Sequence, residues 1–147
     1  MPNPLRRQIR EAAATALTGL TTTAGRVYQS RTHELQDTEL PGLRIYLGEL
    51  AVEESLDNSP IEDQILQLIV EACSKKSSNL DDELDEMERE VRVALHTNQT
   101  IGGAQYVRFL GSAEPELSGE AEKEIGVMRM TFEVMFYSAR GAPDVAL

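Results

Sequence analysis

Side chains that could act as nucleophiles or proton carriers are few and widely spaced along this sequence. His33 lies in a polar segment and His96 lies near the end of a helical pattern, so no local element brings them together. Ser59 and Ser112 stand outside the strand-turn-helix context that activates a serine nucleophile. The sequence also has no glycine-rich phosphate loop and no dinucleotide fingerprint. We therefore expect no catalytic residues and no cofactor, and the sequence does not predict an enzyme.

The acidic run at residues 79–90, NLDDELDEMERE, is the segment that could attract a metal ion. Calcium loops alternate oxygen ligands around a glycine turn that leads into a helix, and this run lacks that pattern. Its carboxylates instead share a helical repeat with Leu84, Met87 and Val91, which is typical of a solvated helix face. We expect no metal site, and weak association with divalent ions is the alternative.

Charge is distributed unevenly along the chain. Residues 1–50 carry six basic and five acidic side chains, whereas residues 51–90 carry three basic and thirteen acidic ones, within a net charge of -11. Such a surface repels phosphate groups, and no basic run offsets it, so we expect no direct nucleic-acid binding. Repulsion between like-charged copies also predicts that the chain is monomeric in dilute solution.

Two features bear on the compartment. Cys73 is the single cysteine and excludes an internal disulfide. No apolar window approaches the roughly 18 residues of a membrane-spanning helix. We expect a soluble, intracellular protein with no membrane contact.

Hydrophobic periodicity predicts the secondary structure. Apolar residues recur at three- and four-residue spacing over residues 4–20 and 80–95, which indicates two helices. Strands are predicted at five further segments, namely 26–31, 43–50, 62–73, 104–113 and 125–138. The near-continuous apolar stretch at 62–73 indicates a central strand that is covered on both sides.

This order predicts an α+β fold. We expect one domain at residues 1–140, with a largely antiparallel sheet of about four or five strands and two α-helices packed on one face. Mobile loops are expected near residues 51–60 and 114–124, where the second segment contains many glutamates and few apolar residues. Residues 141–147 are expected to form a poorly ordered tail.

Several short patterns, taken in order, resemble a known family. They are a short N-terminal helix, RVY at 26–28, Pro-x-Leu-x-Ile-Tyr-Leu at 41–47, QILQLIVEA at 64–72, LDDELDEMEREV at 80–91 and GVMRMTFEVMFY at 126–137. Over about residues 5–138 the chain resembles the bacteriophage tail terminators of the minor tail protein U family, found in lambda-like phages and prophages. The acidic insert at 114–124 and the C-terminal GAPDVAL depart from the family pattern.

The resemblance implies a structural role in the virion tail. Members of that family form a hexameric ring on the end of the growing tail tube, stop its polymerisation and provide the surface that meets the head connector. The implied partners are further copies of this chain, the tail tube protein and the head-tail connector protein.

The second face of the predicted sheet carries the candidate site. We expect Arg26, Tyr28, Arg44 and Tyr46 to contact the acidic 51–90 region of a neighbouring copy, because interfaces favour arginine and tyrosine. Arg129, Met135 and Tyr137 share one face of the last strand and extend the candidate subunit or tube interface. The alternative is that these are ordinary solvent-facing strand residues.

Three other functions remain open. The nearest is another head-tail joining or tail completion protein of similar fold. The others are a small enzyme or ligand-binding domain, and a cytoplasmic adaptor that binds a basic partner through the acidic helix.

Overall fold

The computed structural model describes residues 3–53, 60–75, 77–118 and 124–147. The helices are α1, Leu5–Leu17, and α2, Leu80–Thr97, with short 3-10 turns at Asp37–Glu39 and Ile101–Gly103. The strands are β1, Val27–Tyr28; β2, Gly42–Glu53; β3, Ile61–Lys75; β4, Tyr106–Ser112; β5, Glu116–Ser118; and β6, Ile125–Ala139.

The described strands form one sheet in the order β1-β2-β3-β6-β4, and β5 also pairs with β6. β1 runs parallel to β2, whereas the other pairs are antiparallel. The predicted α+β fold, with a largely antiparallel sheet, is confirmed. β3 lies at the centre, as predicted. The predicted cover on both sides is wrong, because the helices pack on one face only and Ile65, Gln67 and Ile69 on the other face are partly exposed.

Both helices pack on the same face of the sheet. In α1 the buried stripe includes Leu5, Ile9 and Leu17, and in α2 it includes Leu84 and Val91. α1 lies over β1 and β2, while α2 lies over β3, β6 and β4. The helices therefore divide the covered face into a half beside β1 and a half beside β4.

α1 is shorter than the predicted helix at 4–20. It ends at Leu17, and Gly19 then adopts a φ of +92°. That left-handed conformation favours glycine and stops the helix. The Gly19 N–H donates to the Ala24 carbonyl, which closes a turn leading towards β1.

The sheet has six described strands, where four or five were predicted, and β1 is shorter than the predicted 26–31. The Ser30 hydroxyl accepts hydrogen bonds from the backbone N–H groups of Thr32 and His33, so the chain turns soon after Tyr28. β5 has only three residues, too few to show an alternating pattern. It lies within 114–124, where a mobile loop was expected, and pairs with the start of β6.

The remaining boundary predictions concern loops and the tail. Residues 51–53 belong to β2, and residues 54–59 and 119–123 lie outside the described residues. In the C-terminal tail, the Leu147 N–H donates to the Tyr137 carbonyl, and the Pro143 carbonyl accepts from the Leu5 N–H. These residues lie against β6 and α1, and their poor order in solution stays a prediction.

The core lies between the helices and the sheet. Its largest fully buried side chains are Phe132, Phe136, Leu5, Ile9, Leu17, Leu43, Ile45, Leu66, Leu68, Leu84, Met87 and Leu95. Phe132 is 1% exposed and makes a tilted ring contact with Phe109 at a centroid distance of 5.2 Å. A close-packed core of this kind cannot lose a large side chain without leaving a cavity.

Replacing Phe132 with alanine should lower the free energy of unfolding by about 3–5 kcal/mol, because it removes buried apolar area and leaves a cavity. Urea denaturation followed by circular dichroism measures the change. Val93→Ala is the control, since Val93 is 56% exposed on α2, and it should change stability by less than about 0.5 kcal/mol. Similar losses in both variants would contradict this description of the core.

Candidate functional site

The candidate site is the sheet face turned away from the helices, which we call the open face. The register of β2, β3, β6 and β4 assigns a common set of side chains to it. That set is Arg44, Tyr46, Ile65, Gln67, Ile69, Glu71, Tyr106, Arg108, Arg129, Thr131, Glu133, Met135 and Tyr137. Tyr28 joins it because it pairs with Arg44 across β1 and β2.

Glu71 is the centre of the charge arrangement on this face. It lies 3.1 Å from Arg44 and 3.7 Å from Arg129, so one carboxylate is shared by arginines on both neighbouring strands. The side chains of Glu71 and Arg44 are 8% and 17% exposed, whereas that of Arg129 is 55% exposed. The carboxylate therefore balances a nearly buried cation on one side and a solvent-facing cation on the other.

The pKa values of two other groups beside Glu71 are raised. Burial, followed by the Glu71 charge, raises the pKa of Tyr46, so its phenol stays protonated at neutral pH. Burial also raises the pKa of the Cys73 thiol to about 11, although the nearby Arg44 charge acts against this. Cys73 is buried and holds a protonated thiol, which is the unreactive form.

A second ion pair lies nearer the β4 edge. Arg108 and Glu133 approach to 2.8 Å, and the Tyr106 hydroxyl donates to the same carboxylate at 3.4 Å. Burial and then the Glu133 charge raise the pKa of Tyr106. Both pairs cross between adjacent strands, so their geometry depends on strand register.

The chain between β1 and β2 covers part of the open face. His33 stacks on Tyr28 at 5.1 Å, and the Arg31 guanidinium lies 5.0 Å from the centre of the Tyr46 ring. Arg44 Nη1 donates to the His33 carbonyl at 3.1 Å. Tyr28, Arg44 and part of Tyr46 are therefore beneath this segment and are less accessible than a bare strand would make them.

The His33 ring has its own partner in the same segment. Its Nε2 lies 2.9 Å from a Glu39 carboxylate oxygen. The pKa of Glu39 is lowered, first by a hydrogen bond from the Gln36 N–H and then by His33. These contacts hold the segment in place over Tyr28.

Arg26 occupies a different environment from the other predicted site residues. It precedes β1, and its Nε donates to the Pro41 carbonyl at 2.7 Å while its Nη2 donates to the Thr22 carbonyl at 3.0 Å. These bonds tie together the turns before β1 and β2. Arg26 therefore does not share the open face with Tyr28, and a contact between Arg26 and a neighbouring copy stays a prediction.

Met135 and Tyr137 lie on the open face, as the alternation along the last strand predicted. Met135 pairs with Ile65 on β3, and Ile69 lies four residues further along β3. Each of these side chains is partly buried. We call Met135, Ile65 and Ile69 the apolar stretch, in which Gln67 lies between the two isoleucines on β3.

Glu71, Glu133 and Arg108 belong to the site but were missed as candidates. Alternation along β3 places Glu71 on the second face. Its two arginine partners could not be found from that pattern, because they depend on which residues pair across strands. Arg44 was predicted to contact the acidic 51–90 region of a neighbouring copy, and in the structure it pairs with Glu71 from that region of its own chain. A contact between Arg44 and a neighbouring copy stays a prediction.

A groove of about 500 Å³ lies on the helix side, between α2 and β4. Val107, Phe109 and Phe132 form its apolar part, and charged residues of α2 form the opposite wall. Arg92 stacks on Phe109, with 4.1 Å between the guanidinium carbon and the ring centre. The described residues contain no group of three or more histidine, cysteine, aspartate or glutamate side chains that could hold a metal ion.

None of the described helices is long and apolar enough to span a membrane. No family model matches the chain, and no curated protein matches it. Among solved structures, it is similar to a chain of the "Virion of native gene transfer agent (GTA) particle". The two are 13% identical with a TM-score of 0.49, over 92% of this chain and 96% of that chain. A likeness at this level assigns no function.

The shared position of Glu71 gives a stability test. Glu71→Gln keeps the size of the side chain but removes the charge between Arg44 and Arg129. We expect the free energy of unfolding to fall by about 1–3 kcal/mol, because the nearly buried Arg44 loses its counter-charge.

Glu86→Gln is the matched control. Its partner Arg89 is three residues away on the exposed face of α2, with side-chain exposures of 48% and 63%. Solvent screens such a pair, so the urea midpoint should stay nearly unchanged. Equal shifts in the two variants would show that Glu71 has no special structural role.

Proposed function

We propose that this chain is a structural virion-assembly protein that caps the phage tail tube as an oligomeric, hexameric ring. The ring stops tail polymerisation and provides the surface for head-tail joining. The role is non-catalytic and belongs to the virion tail. The partners are further copies of the chain, the tail tube protein and the head-tail connector protein.

The open face is the observation that carries the proposal. Most side chains of β3 and β6 on this face are partly buried, and they combine an apolar stretch with tyrosine and arginine. Interfaces favour aromatic, methionine and arginine side chains over lysine and glutamate. A second protein that covered Met135, Tyr137 and Ile69 would remove apolar area from water.

The element order also supports the proposal. The patterns that resemble tail terminators were a helix, three strands, a second helix and a glycine-flanked final strand. The structure contains these elements in that order, with the final strand in the middle of the sheet beside β3. Among the segments that carry the resemblance, the strands therefore lie in one sheet and the helices pack on its covered face.

The candidate interface residues differ in accessibility. Arg129, Met135 and Tyr137 are available for contact with a neighbouring subunit or the tube, and Arg129 is the most exposed of them. Tyr28 and Arg44 lie beneath the β1–β2 connection, so we infer that they hold that connection in place. Charge reversal at Arg44 would place two carboxylates together inside the chain, which makes Arg44 a poor probe of assembly.

Electron microscopy of particles made without this protein tests the function. We expect overlong tail tubes, because polymerisation would continue without a cap. Tails of normal length beside unjoined heads would contradict the proposal and would indicate the alternative, a head-tail joining or tail completion protein.

Complementation with variants ties the phenotype to the open face. The wild-type chain should restore normal tail length, whereas Met135→Glu should fail because it adds a charge to the apolar stretch. Thr15→Glu is the control, since Thr15 is exposed on α1 on the other side of the sheet, and it should complement. Equal complementation by both variants would show that tail length does not depend on the open face.

A further inference from the structure

The open face changes in character towards the end of β6. Near the middle of the sheet it carries the paired arginines described above, whereas its end carries apolar side chains beside two carboxylates. We propose that this end docks a partner protein that presents apolar side chains next to lysine or arginine. The inference rests on the proposed function, in which the tail tube protein is a partner, and it identifies a surface and the chemistry of the contact.

Strand register places three apolar or aromatic side chains together at this end. Ile61 pairs with Ala139 across β3 and β6, and Tyr137 lies two residues before Ala139 on the same face of β6. The Leu147 N–H donates to the Tyr137 carbonyl at 3.0 Å, so Leu147 lies beside Tyr137. Ile61 is 41% exposed and Leu147 is 53% exposed. We call Ile61, Tyr137 and Leu147 the end patch.

The bridge between the tail and β6 decides which way Leu147 points. Ala146 forms an antiparallel bridge with Ser138 and packs against the core on the covered face. Neighbouring residues of an extended chain point to opposite faces, so Leu147 projects on the open face. A partner that covered the end patch would remove its apolar area from water, which favours binding.

Two carboxylates border the end patch. Glu53 and Asp63 lie directly opposite each other on β2 and β3, and Asp63 pairs with Tyr137 on its other side. Directly opposite residues share a face of the sheet, so both carboxylates lie on the open face. Like charges in this arrangement repel each other and destabilise the pairing of their strands. A cation from outside the chain would relieve this repulsion.

The described part of the chain supplies no cation to this pair. Neither Glu53 nor Asp63 forms an ion pair with a described residue. Arg140 follows β6 and lies 3.8 Å from Glu62, which precedes Asp63 on β3 and therefore points to the other face. Towards the middle of the open face, Arg108 already has a carboxylate partner at 2.8 Å.

The charge of the whole chain disfavours a second copy as the occupant of this end. Each copy has a net charge of -11, and the arginines of its open face, Arg44, Arg108 and Arg129, pair with carboxylates of their own chain. A different protein with lysine or arginine beside apolar side chains would complement both the carboxylates and the end patch. Within the proposed function, this partner is the tail tube protein.

Neutralising the two carboxylates tests the electrostatic part of the contact. In the variant Glu53→Gln with Asp63→Asn, binding to purified tail tubes that were assembled without this chain should weaken about tenfold at low salt, because two attractions to partner cations are lost. Co-sedimentation of the chain with the tubes measures the affinity. The difference from the wild type should shrink as salt rises, because salt screens exposed charges.

The same variant should be more stable than the wild type as a free chain. Its urea midpoint should rise, because β2 and β3 no longer carry opposed like charges. A lower midpoint would overturn the argument from repulsion. The matched control is Asp81→Asn with Asp82→Asn, which removes the same charge from exposed positions on α2, on the other side of the sheet. This control should bind tubes like the wild type.

Replacing exposed residues of the end patch tests the apolar part of the contact. Ile61→Thr with Leu147→Ser should weaken tube binding about fivefold, to a similar extent at low and high salt. Val93→Thr with Leu117→Ser is the control, since these side chains are 56% and 55% exposed. Val93 lies on α2 and Leu117 pairs with Gly126 at the opposite end of β6, so this control should not change binding.

The outcomes separate this inference from the function on which it rests. A wild-type chain that does not bind tubes would overturn both. Wild-type binding that both test variants retain would overturn the end patch as a docking surface and leave the function standing. A loss confined to one test variant would overturn the part of the contact that the other variant tests. Variants that change self-association in sedimentation velocity, but not tube binding, would overturn the inference and identify a second copy as the occupant.

Discussion

The pairing of β3 with β6 is the constraint on which the rest of the structure depends. These two strands pair at fifteen consecutive positions, from Ile61–Ala139 to Lys75–Ile125, without a bulge. Side chains alternate strictly along both strands, so one register decides which residues face the helices. A slip of one residue would turn Phe132 towards solvent and Arg129 towards the core. The register of this one pairing therefore determines which side chains lie on the covered face and which lie on the open face.

The charges of the chain divide into two groups with different physical roles. On the open face, Glu71 and Glu133 bind arginines of neighbouring strands, so these charges are largely balanced within the fold. On α2, seven acidic residues accompany two arginines, so this helix keeps an excess of negative charge. In the proposed ring, the open face would contact a neighbouring subunit or the tail tube protein. A net charge of -11 opposes the association of copies, so contacts between copies must offset this repulsion.

Sequence patterns predicted the parts of the fold that have a strong repeat. Apolar spacing placed α2 at its observed start, and alternation assigned Met135 and Tyr137 to the second face of the last strand. The same patterns missed β5, which is too short to alternate, and extended β1 beyond the turn made by the Ser30 hydroxyl. They also could not show that Arg44 pairs with Glu71, since cross-strand partners depend on register. The sharing of Glu71 by two arginines is a tertiary property, which no local repeat encodes.

Hydroxyl-radical footprinting of the free chain and of the chain assembled on tail tubes tests directly whether the open face contacts another protein. Met135 and Tyr137 are partly exposed on the open face, whereas Met130 is completely buried in the core and provides the internal reference. If the open face contacts another protein in the assembly, oxidation of Met135 and Tyr137 should fall while that of Met130 stays low in both states. Unchanged oxidation of Met135 and Tyr137 in the assembled chain would contradict the claim.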